Sequence, residues 1–205
     1  MLEAVPDTNP LPIEQDPFFI RERTAQVEQA QEQIPLRYRY ARMGDLPESL
    51  RNSLPELGTS LMLWGDVGTG KSYAAAAIAL NWVYDAPPNQ MGTPMRRTVR
   101  RLVVAEVLDL LRPSTGQLAS NVFAEAKKAG MLILEDIGVE KASEWTQERL
   151  YTLINHRYEH MKPIIVTSNK NLEELEEQVG TRTTSRIAEM CTGVTLKGKD
   201  RRINQ

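Results

Sequence analysis

The residues Gly65-Asp66-Val67-Gly68-Thr69-Gly70-Lys71-Ser72 set glycines at spaced positions and end in a cation followed by a hydroxyl. That is the spacing G-x-x-x-x-G-K-[ST], and each residue type in it suits a polyphosphate. Glycines let the backbone curl until successive N–H groups face phosphate oxygens, and a helix starting at the end of the loop aims its positive pole at the same anion. Lys71 adds a point charge at the β and γ phosphates, and Ser72 offers a hydroxyl to Mg2+. The chemistry implied is the binding and hydrolysis of ATP with Mg2+. A second group lies at Met131-Leu132-Ile133-Leu134-Glu135-Asp136, an apolar run that ends in two acids. One carboxylate at such a strand end holds the metal through water and its neighbour orients or deprotonates the attacking water, so Glu135 is assigned to the metal and Asp136 to the water. Thr167-Ser168-Asn169 closes another apolar run. The Asn169 amide can touch the γ-phosphate or the water; the alternative is an asparagine that serves only the turn.

Strands must end where these groups stand, and helices must cover them. The sequence predicts strands at Ser60 to Trp64, Thr98 to Ala105, Met131 to Glu135, Pro163 to Thr167 and Gly193 to Leu196, each short, apolar and bounded by turn or charged residues. Helices are expected between them, at Ser72 to Tyr84, Gln117 to Lys128 and Ser143 to Met161, with Ser143 as N-cap. This alternation predicts an α/β fold with a five-stranded parallel sheet covered on both faces, a three-layer sandwich. Upstream, Met1 to Asp16 is rich in proline and acids and reads as an extended arm, while Asp85 to Pro94 reads as an exposed loop. Pro17 to Ile34 reads as an amphipathic helix with Ile20, Val27, Ala30 and Ile34 on one face, either a brace on the main domain or a docking helix for a partner. The expected division is residues 1–34 as arm and helix and 35–205 as the ATPase domain.

Composition narrows the alternatives. The chain has 205 residues, 41% hydrophobic and 25% charged, with no apolar run long enough to span a membrane. Met1 to Pro10 lacks the basic start and apolar stretch of a secretory signal, so a cytoplasmic location is expected. Cys191 is the sole cysteine and can form neither an internal disulfide nor a thiolate zinc site by itself. A net charge of −2 gives no global attraction to nucleic acid. Local basic groups remain at Arg96, Arg97, Arg100 and Arg101 and at Lys127 and Lys128, with Phe123 nearby; they are either a solvated face or a track for single-stranded DNA. His156 and His160 are one helical turn apart, but a zinc site needs at least a third protein ligand. Trp64, Trp82 and Trp145 read as packing residues.

Taken together, the motifs resemble those of the DnaC/DnaI-type helicase loaders and the IstB-type transposition ATPases, both AAA+ proteins, over about Pro35 to Arg202. The likeness rests on Gly65 to Ser72, on Leu134-Glu135-Asp136-Ile137-Gly138-Val139-Glu140-Lys141 continuing to Ser143-Glu144-Trp145, on Ile154-Asn155-His156-Arg157-Tyr158, on Thr167-Ser168-Asn169, and on Ser185-Arg186 leading to Gly198-Lys199-Asp200. It implies the AAA+ sheet, with the Asn169 strand between the phosphate-loop strand and the Glu135 strand, and it makes Asn169 a sensor of the γ-phosphate. It also implies an arginine finger within Thr181 to Ala188 that reaches the ATP of a neighbouring subunit, with Arg186 the best match and Arg182 the reserve. Tyr38 and Tyr40 fall where the family covers the adenine; the alternative is that they are core residues. This chain departs from the family at Glu135, where the family usually has Asp, and in having only about 35 residues before the core. Pro17 to Ile34 is then the expected docking element, and no C-terminal helical lid is expected. The implied function is an ATP-dependent loader that self-associates, binds a DnaB-type replicative helicase and assists its loading onto single-stranded DNA. The rival readings are an IstB-like helper that assembles on duplex DNA and recruits a transposase, and a nucleotide kinase.

Overall fold

The computed structural model describes residues 13–110, 117–139 and 143–198. Residues 1–12 of the expected arm, Glu140 and Lys141 of the acidic motif, and Lys199-Asp200 lie outside the described residues. The helices are α1 (Pro17–Glu32), α2 (Glu48–Ser53), α3 (Lys71–Tyr84), α4 (Val104–Leu110), α5 (Gln117–Lys128), α6 (Glu144–Glu159), α7 (Leu172–Val179) and α8 (Thr181–Met190). The strands are β1 (Ser60–Trp64), β2 (Val99–Val103), β3 (Met131–Glu135), β4 (Ile164–Ser168) and β5 (Cys191–Thr195). They form one five-stranded sheet in the order β2-β3-β4-β1-β5, parallel throughout, so the Asn169 strand does separate the other two site strands.

Strand alternation divides the apolar residues between two cores. Leu61, Leu63, Ile133 and Ile165 face α3, whose alanine run Ala74 to Ala77 is buried against them. Met62, Leu132, Leu134, Ile164 and Val166 face the opposite layer, which takes Leu150, Leu153 and Ile154 from α6 together with residues of α4, α5, α7 and α8. The second strand stops at Val103, short of the expected Ala105, because Val104, Val107 and Leu108 recur at helical spacing and bury on that second core. β5 begins two residues earlier than expected; it is an edge strand with Val194 as its one buried residue, so its apolar signal is weak. Cys191 at its start packs against the second core.

α1 starts at Asp16, whose carboxylate accepts from Phe18 N at 2.7 Å, with Pro17 in the first turn. Its inward stripe is Phe19, Val27, Ala30 and then Ile34, on the α3 side of the sheet. Ile20, expected on that face, is 43% exposed, whereas Phe19 beside it is 1% exposed, so the first turn of the helix buries Phe19 in its place. Gln26 pins the helix to the loop before β2: its Oε1 accepts from Arg97 N at 3.0 Å and its Nε2 donates to Pro94 O at 3.4 Å.

At the amino ends of β3 and β4 lies Arg157, 0% exposed. Its Nη1 donates to Ala126 O at 2.8 Å and Ala129 O at 3.1 Å, and its Nη2 to Gly130 O at 3.0 Å and Pro163 O at 2.6 Å. Lys162 Nζ adds bonds of 3.0 Å to Lys127 O and Lys128 O. The carbonyls that α5 leaves open at its end are thus taken by cations from α6 and the turn after it. Burial pushes the Arg157 guanidinium down to about 10. Among the described residues no helix is long and apolar enough to cross a membrane.

Candidate nucleotide site

β1 runs directly into the glycine loop, and α3 leaves it. Gly65, Gly68 and Gly70 have φ of 146°, 82° and 97°, a region that side chains strain to enter. Gly65 is wedged further: a Cβ there would lie 2.2 Å from Leu196 O, on the chain leaving β5. The loop closes on itself, with Thr69 Oγ1 donating to Asp66 O at 2.8 Å and Lys71 Nζ donating to Gly65 O at 2.7 Å and Asp66 O at 2.8 Å. Gly70 caps α3 without a side-chain hydrogen bond, so the first-turn amides are left to an anion.

The acids at the end of β3 part company. Asp136 takes φ of 58°, its N–H donates to Thr167 Oγ1 at 3.1 Å, and it lines a cleft beside the loop. The next residue is clamped as well, Ile137 N donating to Thr167 O at 3.0 Å while Ser168 Oγ donates to Ile137 O at 2.8 Å. The end of β4 therefore holds the turn that carries Asp136. Glu135, 4% exposed, turns to the neighbouring strand, where Arg101 Nη2 stands 2.6 Å from its Oε2. It is absent from the walls of the cleft.

That cleft has a volume of about 610 Å³, within the usual range for a small-molecule site. Gly68, Gly70, Lys71, Ser72, Asp136 and Asn169 all line it. The structure brings these residues together on one cleft. Arg37, Tyr38, Asp45 and Tyr73 also line it. Tyr73 donates to Asp45 Oδ2 at 2.5 Å, and Tyr38 meets its ring edge-on at 6.1 Å and 85°. Burial, and then the bond to Asp45, raise the Tyr73 hydroxyl above its ordinary pKa. Arg37, Asp45 and Tyr73 were missed from sequence; the available signal was that Tyr73 sits in the first turn of the helix that Lys71 opens. Tyr40 is 73% exposed and lines a separate groove between α1 and α3, because the chain turns between it and Tyr38.

Arg186 on α8 lies away from the cleft walls, over the Tyr158 ring of α6 at 4.3 Å, with its Nε donating to Asn155 Oδ1 at 3.1 Å and Glu189 at 3.4 Å from Nη1. Arg182 repeats the arrangement one turn earlier, 3.9 Å over Tyr151. The basic residues near β2 and at the end of α5 are divided among different partners. Arg97 stacks on Trp82 at 4.8 Å and donates to its carbonyl, Arg100 pairs with Glu125 at 3.2 Å and with Gln33 at 2.9 Å, and Arg101 belongs to Glu135. Arg96 is exposed, as is Lys128, and Lys127 lies 5.1 Å over Phe123. The reason is that β2 is an edge strand, whose long side chains fold back onto the elements flanking it.

Comparison with known proteins agrees with this geometry. The replicative helicase loader DnaI of Bacillus subtilis is 26% identical over 158 residues, which is 71% of this chain and 48% of that one. A protein of the insertion sequence IS21 of Pseudomonas aeruginosa is 28% identical over 155 residues, 73% of this chain and 55% of that one. The chain thus spans about half the length of these relatives. A crystal structure of DnaI shares the fold with a TM-score of 0.66 at 20% identity, covering 84% of this chain and 99% of that one. The model of the family described as IstB-like ATP binding protein matches residues 53–205, from before the first strand through the whole sheet. The chain belongs to the IstB-like ATP binding protein family.

Proposed function

We propose that this protein binds ATP with Mg2+ in the cleft beside Gly65 to Ser72, hydrolyses it slowly, and uses the nucleotide state to assist a DnaB-type replicative helicase onto single-stranded DNA. The observation that carries the reading is the convergence of Lys71, Ser72, Asp136 and Asn169 on one cleft. The residues fit the ligand: left-handed glycines shape the loop, the amides of α3 carry no side-chain cap, and the Lys71 donors rest on loop carbonyls where phosphate oxygens can replace them. Lys71 holds the charge of the terminal phosphates, and the Ser72 hydroxyl would hold the metal. The metal held there would supply neutralisation of the charge that develops on the phosphates. Asn169 offers its amide at the end of β4 to the γ-phosphate or the attacking water, and Tyr38 and Tyr73 supply aromatic surface for the base.

Arg186 is the finger in this reading. It stands off its own cleft, so it reaches a phosphate only across an interface with a second copy. An arginine finger contributes about 10³-fold or more to turnover. Arg186→Ala should leave nucleotide binding by the monomer intact and remove the turnover that depends on assembly. Retention of full turnover by that variant overturns the role. The helicase is tested by co-purification with a DnaB-type helicase in ADP and in ATP; absence of a complex in every nucleotide state refutes the loader. The family also takes its description from IstB, which favours a second reading, a helper that assembles on duplex DNA and recruits a transposase. ATP-dependent filaments on duplex, without helicase binding, identify it.

A further inference from the structure

The two acids at the end of β3 do not share an environment. In the β2–β3 ladder Val103 lies opposite Glu135 and Arg101 opposite Ile133, so Arg101 and Glu135 project from the same face as diagonal neighbours. Their 2.6 Å contact is short even for a charge-assisted bond. The Glu135 side chain is 5% exposed, and a carboxylate so enclosed requires a cation beside it. Asp136 is placed by different forces. Its φ of 58° is one that a residue other than glycine keeps only where its surroundings impose it, and Thr167 and Ser168 impose it here. Asp136 so held lines the cleft with Lys71, Ser72 and Asn169.

We propose that Arg101 is a positioning residue that retains Glu135 at the β2 edge, and that Asp136 is the carboxylate through which this chain meets the magnesium ion of a bound nucleotide. The inference rests on the reading of the cleft as an ATP site and moves the metal role expected for Glu135 to Asp136. It leaves Asn169 as the polar group for the attacking water. An amide orients water and takes no proton from it, so the site holds nucleotide better than it turns it over. It also gives Arg101 a place inside the site instead of on a DNA-binding face.

The test is the affinity of the whole protein for a fluorescent ATP analogue, measured with Mg2+ and with EDTA, in the wild type, Asp136→Asn, Glu135→Gln and the double variant Arg101→Met/Glu135→Gln. The double variant removes both charges together, so no buried ion is left unpaired, and melting curves check that each variant folds. Wild type should bind more tightly with Mg2+ than with EDTA. Asp136→Asn should lose that strengthening and keep its affinity in EDTA, while the double variant retains the strengthening. Loss of the strengthening in the two variants that carry Glu135→Gln, or its survival in Asp136→Asn, overturns the proposal. No binding by wild type in either condition means instead that the reading of the cleft has failed.

Discussion

Lys71 and Arg157 are both buried cations that spend their donors on backbone carbonyls, and they stand at opposite ends of the sheet. Arg157 reaches the end of α5, the turn before β3 and the turn before β4. The carbonyls of Gly65 and Asp66 that Lys71 holds belong to its own loop, at the edge of an open cleft. A cation that ties separate segments together cannot let go without loosening them. One that leans on its own loop can exchange those carbonyls for the oxygens of an anion while the sheet stays as it is. Burial and charge alone therefore do not separate a structural cation from a binding one; the chain distance between the groups it bridges does.

The largest expected effect breaks the structural side of this contrast. Arg157→Met should cost about 3–5 kcal/mol of stability, because it strips four hydrogen bonds of a buried charged group from the carbonyls of Ala126, Ala129, Gly130 and Pro163. Urea denaturation at an unchanged m-value reads the loss, and the fraction still folded should bind nucleotide normally. Gly65→Ala comes next. Its Cβ would lie 2.2 Å from Leu196 O, so loop and β5 must separate, at about 1–3 kcal/mol, with a matching loss of nucleotide affinity. The smallest effect is electrostatic. Burial, and then His160 stacked at 4.1 Å, hold His156 below the ordinary imidazole value of 6.5. The folded chain then takes that proton at lower pH than the unfolded one, so the stability it contributes is present above 6.5 and declines as pH falls below it. The NMR titration midpoint of His156 should lie below 6.5 and move up in His160→Ala.

Much of the site was legible because its parts are local. Gly65 to Ser72 is contiguous, and Glu135, Asp136 and Asn169 follow apolar runs whose length marks them as strands. The same locality made the sheet readable to within two residues at β1, β3 and β4, which are buried along their whole length or nearly so. What stayed hidden depends on which strands become neighbours. Nothing near Glu135 in the sequence announces Arg101, which comes from the adjoining strand and pairs with it. Asp45 reaches the cleft through Tyr73, from a segment before the first strand with no periodicity to mark it. Arg157 reads as an ordinary charge in an amphipathic helix until α5 ends against it.

The central claim is that Lys71 is the exchangeable cation of the pair and that phosphate is what it is exchanged for. Isothermal titration of the wild type and Lys71→Ala with ATP and Mg2+, beside a urea denaturation of each, tests it most directly. Saturable binding by the wild type is expected, with a loss of about 2–5 kcal/mol of binding free energy in the variant. The stability of Lys71→Ala should change by only about 1 kcal/mol. Equal binding by the two proteins, or a Lys71→Ala protein as destabilised as Arg157→Met, contradicts it.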